Sequence, residues 1–339
     1  MATRTTPLYV LIPGILATAC GYETNNRSIE SRPQATQEVQ VALVGAVSGS
    51  PEGLAFDRLP LQTGSALVTT QGRPCDAATI QPGSVIRGMA TKSGWGYQLL
   101  FAEVHHEVEG TIERVDTASS RLIVMGQTVQ MDPATCLGEE GPGGCMVRLQ
   151  PADMKAGDRV EVDGSPAPDG SVLATRIQVV PASGNGEGYF HGVLRSLDNL
   201  TKTAAAGGCV LMYGTALVVG PLANGTRVEI HGRRSGKILH ATWVKVDPVL
   251  DDLKGATLEL AGPISGFDPV ARTFRVMSCT VDYSRAQVEG SLADGVTVVG
   301  TGPLARGEAF PVHSGPKAAP RVALAALKVL RRPLRGNLA

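Results

Sequence analysis

Aromatic residues are scarce: Phe, Tyr and Trp together make 4% of the 339 residues. A row of stacking platforms for bases or sugars spread along the chain is therefore not expected, which leaves only a small local site. Charge of one sign is missing as well. The chain has 31 basic and 31 acidic residues, so it has no basic footprint and no nucleic-acid partner is expected. No phosphate loop, paired-carboxylate motif or His–Ser–acid arrangement is visible, and Ser31, Ser165 and Ser291 lie outside any G-x-S-x-G elbow. The six cysteines contain no C-x-x-C and have no neighbouring His pair, so neither a zinc site nor any cofactor is expected. His105 and His106 are adjacent, and adjacent strand residues point to opposite faces, which keeps them from chelating one metal. Finally, no apolar run reaches the roughly 20 residues that a membrane-spanning helix needs.

What is present begins at the N-terminus. Arg4 precedes the short apolar run Leu8–Leu16, which exits through Ala17-Thr18-Ala19 to Cys20. A basic start, a short apolar stretch and a small-residue exit are the layout of a bacterial export signal over residues 1–19. Two processing outcomes compete. Ala17-Thr18-Ala19 suits ordinary signal peptidase, which would release a soluble periplasmic or secreted protein. The same residues followed by Cys20 resemble the lipobox of bacterial lipoproteins, in which the Cys is diacylated and becomes the new N-terminus. Lipoboxes prefer Leu where this chain has Ala17. Lipidation of Cys20 is the favoured expectation, because the polar stretch that follows, through residue 38, has almost nothing to bury and reads as a flexible tether. Gly21 after the anchor resembles an outer-membrane sorting context, facing the periplasm, if the cell is Gram-negative.

The body of the chain repeats itself. Gly157-Asp158-Arg159-Val160-Glu161-Val162-Asp163-Gly164 recurs as Gly225-Thr226-Arg227-Val228-Glu229-Ile230-His231-Gly232 and as Gly295-Val296-Thr297-Val298-Val299-Gly300-Thr301-Gly302. A shortened form is Gly83-Ser84-Val85-Ile86-Arg87-Gly88. Each is an alternating strand between turn glycines, with Val160 and Val162 on one face and Glu161 on the other. Each is preceded by an opening strand with its own glycine: Gly45, Gly110, Gly192 and Gly262. Each is followed by a closing strand. Forty-one glycines and 22 prolines punctuate these runs, and hydrophobic residues make 43% of the chain. The expectation is about five strands per 60–75 residues, too few for a sandwich. A small barrel would remove the exposed strand edges. The modules are placed at 39–106, 107–182, 187–248 and 256–330, the first and last divergent and the last carrying a Pro-rich insertion.

The second module reads E-G-T-I-E-R-V-D-T-A-S-S-R-L-I-V-M-G-Q-T-V from Glu109 and A-G-D-R-V-E-V-D-G-S-P-A-P-D-G-S-V-L-A-T-R-I from Ala156. It resembles the bacterial family catalogued as domain of unknown function 5666. The resemblance covers Val108–Val180 well and the third module less well. It implies OB-like barrels, occurring singly or in tandem in exported and often lipid-anchored proteins. It brings no catalytic residue, because the shared pattern is one of glycines and alternating valines. The fold expectation is all-β: four tandem small OB-like barrels in a row, after a signal peptide and tether.

Among individual residues, Cys136 and Cys145 bracket the Gly- and Glu-rich insertion Leu-Gly-Glu-Glu-Gly-Pro-Gly-Gly, and an oxidising envelope favours a disulfide between them over two free thiols. Cys209 and Cys279 share a C-x-x-x-Y spacing and read as small buried hydrophobes, while Cys75 has no evident partner. In the closing strand of module three, Thr242, Val244 and Val246 are expected inward and Trp243 outward, either as a ligand platform or covered by a neighbouring module. Trp95 and Tyr97 fall at a hairpin tip, where an exposed Trp95 either serves as a second candidate platform or folds back onto module one. His231, beside a turn glycine, is expected in solvent. The functional expectation is a non-enzymatic envelope lipoprotein, held to the membrane by its lipid, that binds or scaffolds a glycan or another envelope protein. A passive spacer is the alternative. An enzyme is not expected, unless a buried carboxylate or His appears in a cleft between modules.

Overall fold

The computed structural model describes residues 38–50, 53–140, 146–182, 186–247, 253, 256–303, 321–323 and 326–329. The expected export signal, Cys20 and Cys145 lie outside the described residues. In the first module the strands are β1 (Val39–Ala46), β2 (Ser48–Ser50), β3 (Gly53–Phe56), β4 (Leu59–Gln62), β5 (Leu67–Thr70), β6 (Arg73–Cys75), β7 (Val85–Ser93) and β8 (Gly96–Val104). β1 and β2 are two arms of one opening strand bent at Val47. One arm pairs with β7 and the other with β3. β3 continues to β4, β4 runs parallel to β8, and β7 and β8 form a hairpin. The ring of strands closes, so every core strand is paired on both sides. The scheme is that of a small, closed, barrel-like sheet.

The same scheme recurs. The second module contains β9 (Val108–Asp116), β10 (Arg121–Val124), β11 (Gln127–Gln130), β12 (Cys136–Glu140), β13 (Met146–Arg148), β14 (Arg159–Pro166) and β15 (Val172–Val180). The third contains β16 (Glu187–Val193), β17 (Arg195–Asp198), β18 (Thr203–Ala206), β19 (Cys209–Met212), β20 (Leu217–Val219), β21 (Arg227–Ser235) and β22 (Ile238–Val246). The fourth contains β23 (Thr257–Asp268), β24 (Thr273–Val276), β25 (Cys279–Asp282), β26 (Gln287–Glu289), β27 (Thr297–Pro303), β28 (Arg321–Ala323) and β29 (Ala326–Val329). In each, the opening strand pairs with the second and fourth strands, and the third lies parallel to the fifth. Alternation puts Val160 and Val162 in the interior at 0% exposure, with Glu161 turned outward.

One strand departs from its expected phase. A bulge between His231 and Gly232 shifts the pairing of β21 with β22. Ala241 and Val244 are both buried, and Thr242 is pushed outward together with Trp243. Thr242 therefore does not face inward, because a bulge leaves one extra residue on one strand.

The barrels also do not lie in a row. β1 runs parallel beside β23, from Val41↔Thr257 to Gly45↔Ala261, which joins the first barrel to the fourth. Gly45 makes this approach possible, since a Cβ there would sit 2.0 Å from the Ala261 carbonyl oxygen. β9 meets β16 antiparallel at Val108↔Phe190, which joins the second barrel to the third. These two residues hold equivalent places two before the opening glycines Gly110 and Gly192, so the pair is related by a local two-fold. The two pairs then touch. Thr175 Oγ1 donates to the Gly83 carbonyl at 2.7 Å and Ser265 Oγ to the Pro166 carbonyl at 3.0 Å. Gln37–Ala339 accordingly forms one unit. Barrels two and three share one apolar core around Phe190, Leu122, Ile177 and Leu239. Barrels one and four lend residues to each other: Val44 and Val85 enter the fourth core, and Ala261 and Val299 enter the first.

Candidate functional site

Nesting the barrels buries charge between them. Glu107, at the start of the second barrel, is 2% exposed. Arg227 of β21 donates through Nη2 to both Glu107 oxygens at 2.6 and 2.8 Å, and through Nε to Asp247 Oδ2 at 2.7 Å. His191 of β16 places Nδ1 3.0 Å from Asp247 Oδ1. His105 places Nε2 3.3 Å from Glu107 Oε2, and its ring lies 4.4 Å from that of His191. Burial alone would raise the Glu107 carboxyl, but Arg227 overrides it and holds the group at about 2. Burial also works against charge on His191, yet the Asp247 carboxylate wins and raises it. His105 is lowered, by burial first and then by the positive His191 beside it.

On the other face of the same segment, His106 Nδ1 bonds Asp163, which is fully buried on β14. Glu161 stands 3.7 Å from His106, and Arg176 stands 3.8 Å from Asp163. Here too burial would lower the imidazole, and Asp163 raises it to about 9 instead. The two adjacent histidines therefore serve different partners on opposite faces. Between barrels one and four, Lys92 and Thr301 both reach the buried Glu259, at 2.8 and 2.9 Å.

This is the buried His–carboxylate cluster between modules that the sequence did not reveal. A signal was present. Arg159 and Arg227 hold the same place in the repeat, two residues after its first glycine. Arg159 makes the matching reach, to Glu109 at 2.5 Å and to the Glu187 carbonyl at 2.8 Å. The void beside the cluster, lined by Tyr189, Glu229 and Lys245 among others, is about 30 Å³, room for a single water. Among the described residues no three His, Cys, Asp or Glu side chains could hold a metal ion.

The open site lies elsewhere. The β7–β8 hairpin turns through Gly94 and Trp95, and the Trp95 side chain is 84% exposed. Its backbone N–H donates to Ser93 Oγ at 3.2 Å, which stiffens the turn. Gly96 follows at φ 145°, and a Cβ there would meet the Pro60 carbonyl oxygen at 2.4 Å. That glycine lets β8 lie against β4, with Leu61 opposite Tyr97. The result is a cleft of about 300 Å³ whose lining includes Glu38, Gln62, Thr91, Trp95 and Gln98. It is bounded by the third and fifth strands of the barrel and by the hairpin between the fourth and fifth.

The other sequence candidates fall differently. Tyr97 is not a second exposed platform. It points inward at 1% exposure and packs edge-on against Phe56 at 5.8 Å. Burial, reinforced by Glu259, pushes its phenol well up. Trp243 is half-buried and sits on its own barrel, edge-on to His231 at 4.7 Å with Lys245 over its ring at 5.6 Å. His231 is not left in solvent. It stacks on Tyr189 at 4.8 Å and bonds Glu229 at 2.6 Å, because cross-strand register aligns Trp243, His231 and Tyr189 in one row. Trp95 and Trp243 are thus not brought together: they belong to different barrels. Cys136 is half-buried on β12, and with Cys145 outside the described residues their pairing stays an expectation. Cys209 and Cys279 are buried thiols in separate cores, and burial pushes Cys279 up to about 12.

Residues 109–178 match the family model for Domain of unknown function (DUF5666). This is the second barrel, from its opening strand almost to the end of its closing one. Neither the search of curated proteins nor that of solved structures gives a match. Among the described residues, no helix is long and apolar enough to cross a membrane.

Proposed function

We propose that this protein is a non-enzymatic binding protein of the bacterial cell envelope, anchored through Cys20, in which the nested barrels form the scaffold and the cleft under Trp95 is the recognition surface. The observation that carries this reading is the Trp95 side chain, 84% exposed beside a cleft of about 300 Å³. A large aromatic left bare beside a concave surface has no use in folding and suits a ligand. Its position agrees, since OB-type barrels bind ligands on one strand face near the hairpin between their last two strands. The buried His–carboxylate cluster does not favour catalysis over structure. Its carboxylates are already engaged by Arg227 and the histidines, and the adjoining void admits no substrate. Membrane attachment rests on the first twenty residues alone.

Photo-crosslinking in cells tests the reading, with a probe at position 95 and a second at position 243. A recurrent adduct from position 95 alone is expected. Absence of any adduct from either site, with the protein correctly processed, would favour the spacer alternative.

A further inference from the structure

We infer that the occupant of the Trp95 cleft is an uncharged oligosaccharide. This inference rests on the binding role proposed for the same cleft and names the class of ligand it takes. A pyranose ring presents a flat apolar face and a rim of hydroxyls, each both donor and acceptor. Trp95 supplies a matching flat apolar surface. The rest of the lining is polar and of the right kind. Gln62 and Gln98 each offer an amide that donates and accepts, Thr91 offers a hydroxyl, and Glu38 accepts from hydroxyls.

Two details favour a sugar over other ligands. The Gln98 amide is already fixed by donating to Ser65 Oγ at 2.9 Å, so little ordering is needed when a ligand arrives. The Gln62 amide and the Thr91 hydroxyl have no partner among the described residues, which leaves them for a ligand's hydroxyls. Charge then selects within the class. The lining contains one carboxylate and no Lys or Arg, and the Lys92 ammonium, which lies over the Tyr97 ring, is already paired with Glu259 at 2.8 Å, so a uronate, sulfate or phosphate would meet a like charge with no unpaired cation to offset it. A protein partner would want a broader patch with several large apolar anchors, whereas this cleft has a single exposed aromatic ringed by amides and hydroxyls.

The test uses the purified full-length chain and four soluble probes: the hexamers of N-acetylglucosamine, β-1,4-glucose and α-1,4-glucose, and hexagalacturonate. Binding is followed by calorimetry and by ligand-observed NMR. At least one neutral hexamer is expected to bind saturably, and hexagalacturonate is not. Trp95→Ala should weaken that binding by about tenfold or more, the loss of one stacking contact. Gln62→Ala should weaken it as well, and Trp243→Ala should leave it unchanged. No saturable binding by any neutral hexamer, preference for hexagalacturonate, or binding indifferent to Trp95→Ala would each overturn the assignment. If the position-95 crosslink then still traps one protein, the binding role stands and only the ligand class fails. If the crosslink is also empty, both fail.

Discussion

The hairpins that close barrels one and three are built alike and used differently. In the third barrel, β21 and β22 turn through Gly236 and Lys237, and the only Trp sits mid-strand. There the cross-strand register supplies it with His231, and His231 with Tyr189. In the first barrel, β7 and β8 turn through Gly94 and Trp95, and Trp95 lies beyond the last paired residues. A strand side chain has neighbours on both sides, whereas a turn side chain has only what the loop folds over it. The same residue type thus becomes packing in one barrel and an uncovered surface in the other. A second contrast follows. Barrel three gives its charged strand face to the other barrels, while barrel one, beyond the Lys92 that it lends to Glu259, leaves the mouth of its cleft uncovered among the described residues.

The largest expected effect comes from attacking the packed region. Arg227→Met would leave Glu107 and Asp247 facing each other inside the junction with no guanidinium. Removing one partner of a buried ion network costs about 3–5 kcal/mol. Urea unfolding should show that loss. A loss under 1 kcal/mol would mean that the junction is open to water and that the contrast with the cleft is overstated. Exchanging Arg227, Glu107 and Asp247 together for apolar residues of similar size should recover much of it, because the desolvation cost is then gone as well.

Alkaline pH probes the same region more gently. The folded-state pKa of His106 stands at about 9, above its ordinary value near 6.5. A group raised on folding contributes its stability in full below the unfolded value and loses it as pH rises through the folded one. Between about pH 6.5 and 9 the chain should therefore lose stability, by an amount on the order of 3 kcal/mol at most. The urea midpoint measured across that range reads the effect, and His106→Gln should flatten it. A midpoint that rises with pH would contradict the His106–Asp163 pairing.

These two regions were unequally legible in the sequence. The barrel was readable because its determinants are local: turn glycines, alternating valines, and the spacing between Gly192 and Gly225 that Gly262 and Gly295 repeat. Trp95 was readable for the same reason, as a large residue between the two glycines of a turn. The junction was not. Arg227 and Glu107 are 120 residues apart, and nothing in either segment alone names the other. Their meeting depends on which barrel lies beside which. A row of modules was the simplest expectation, and it could not reveal that the first barrel pairs with the fourth. The inward Thr242 failed on a smaller scale, because a bulge at Gly232 shifts phase without changing the residue pattern. Tyr97 failed because alternation along β8, counted from a Gly placed at positive φ, turned it into the core.

The finest test changes one residue type in two places. Trp243→Ala removes an edge-on ring from His231 and the surface under Lys245. It should cost about 1–3 kcal/mol, as loss of a half-buried aromatic does. Trp95→Ala removes a side chain that is 84% exposed, and surface changes of this kind stay within about 0.5 kcal/mol. Paired urea melts of the two variants would read both values against the parent chain. If Trp95→Ala proves as damaging as Trp243→Ala, the indole is holding the hairpin together and the bare surface is an illusion of geometry. If it leaves stability untouched, folding has no use for a tryptophan at that position, and its presence is left to be explained by what the cleft receives.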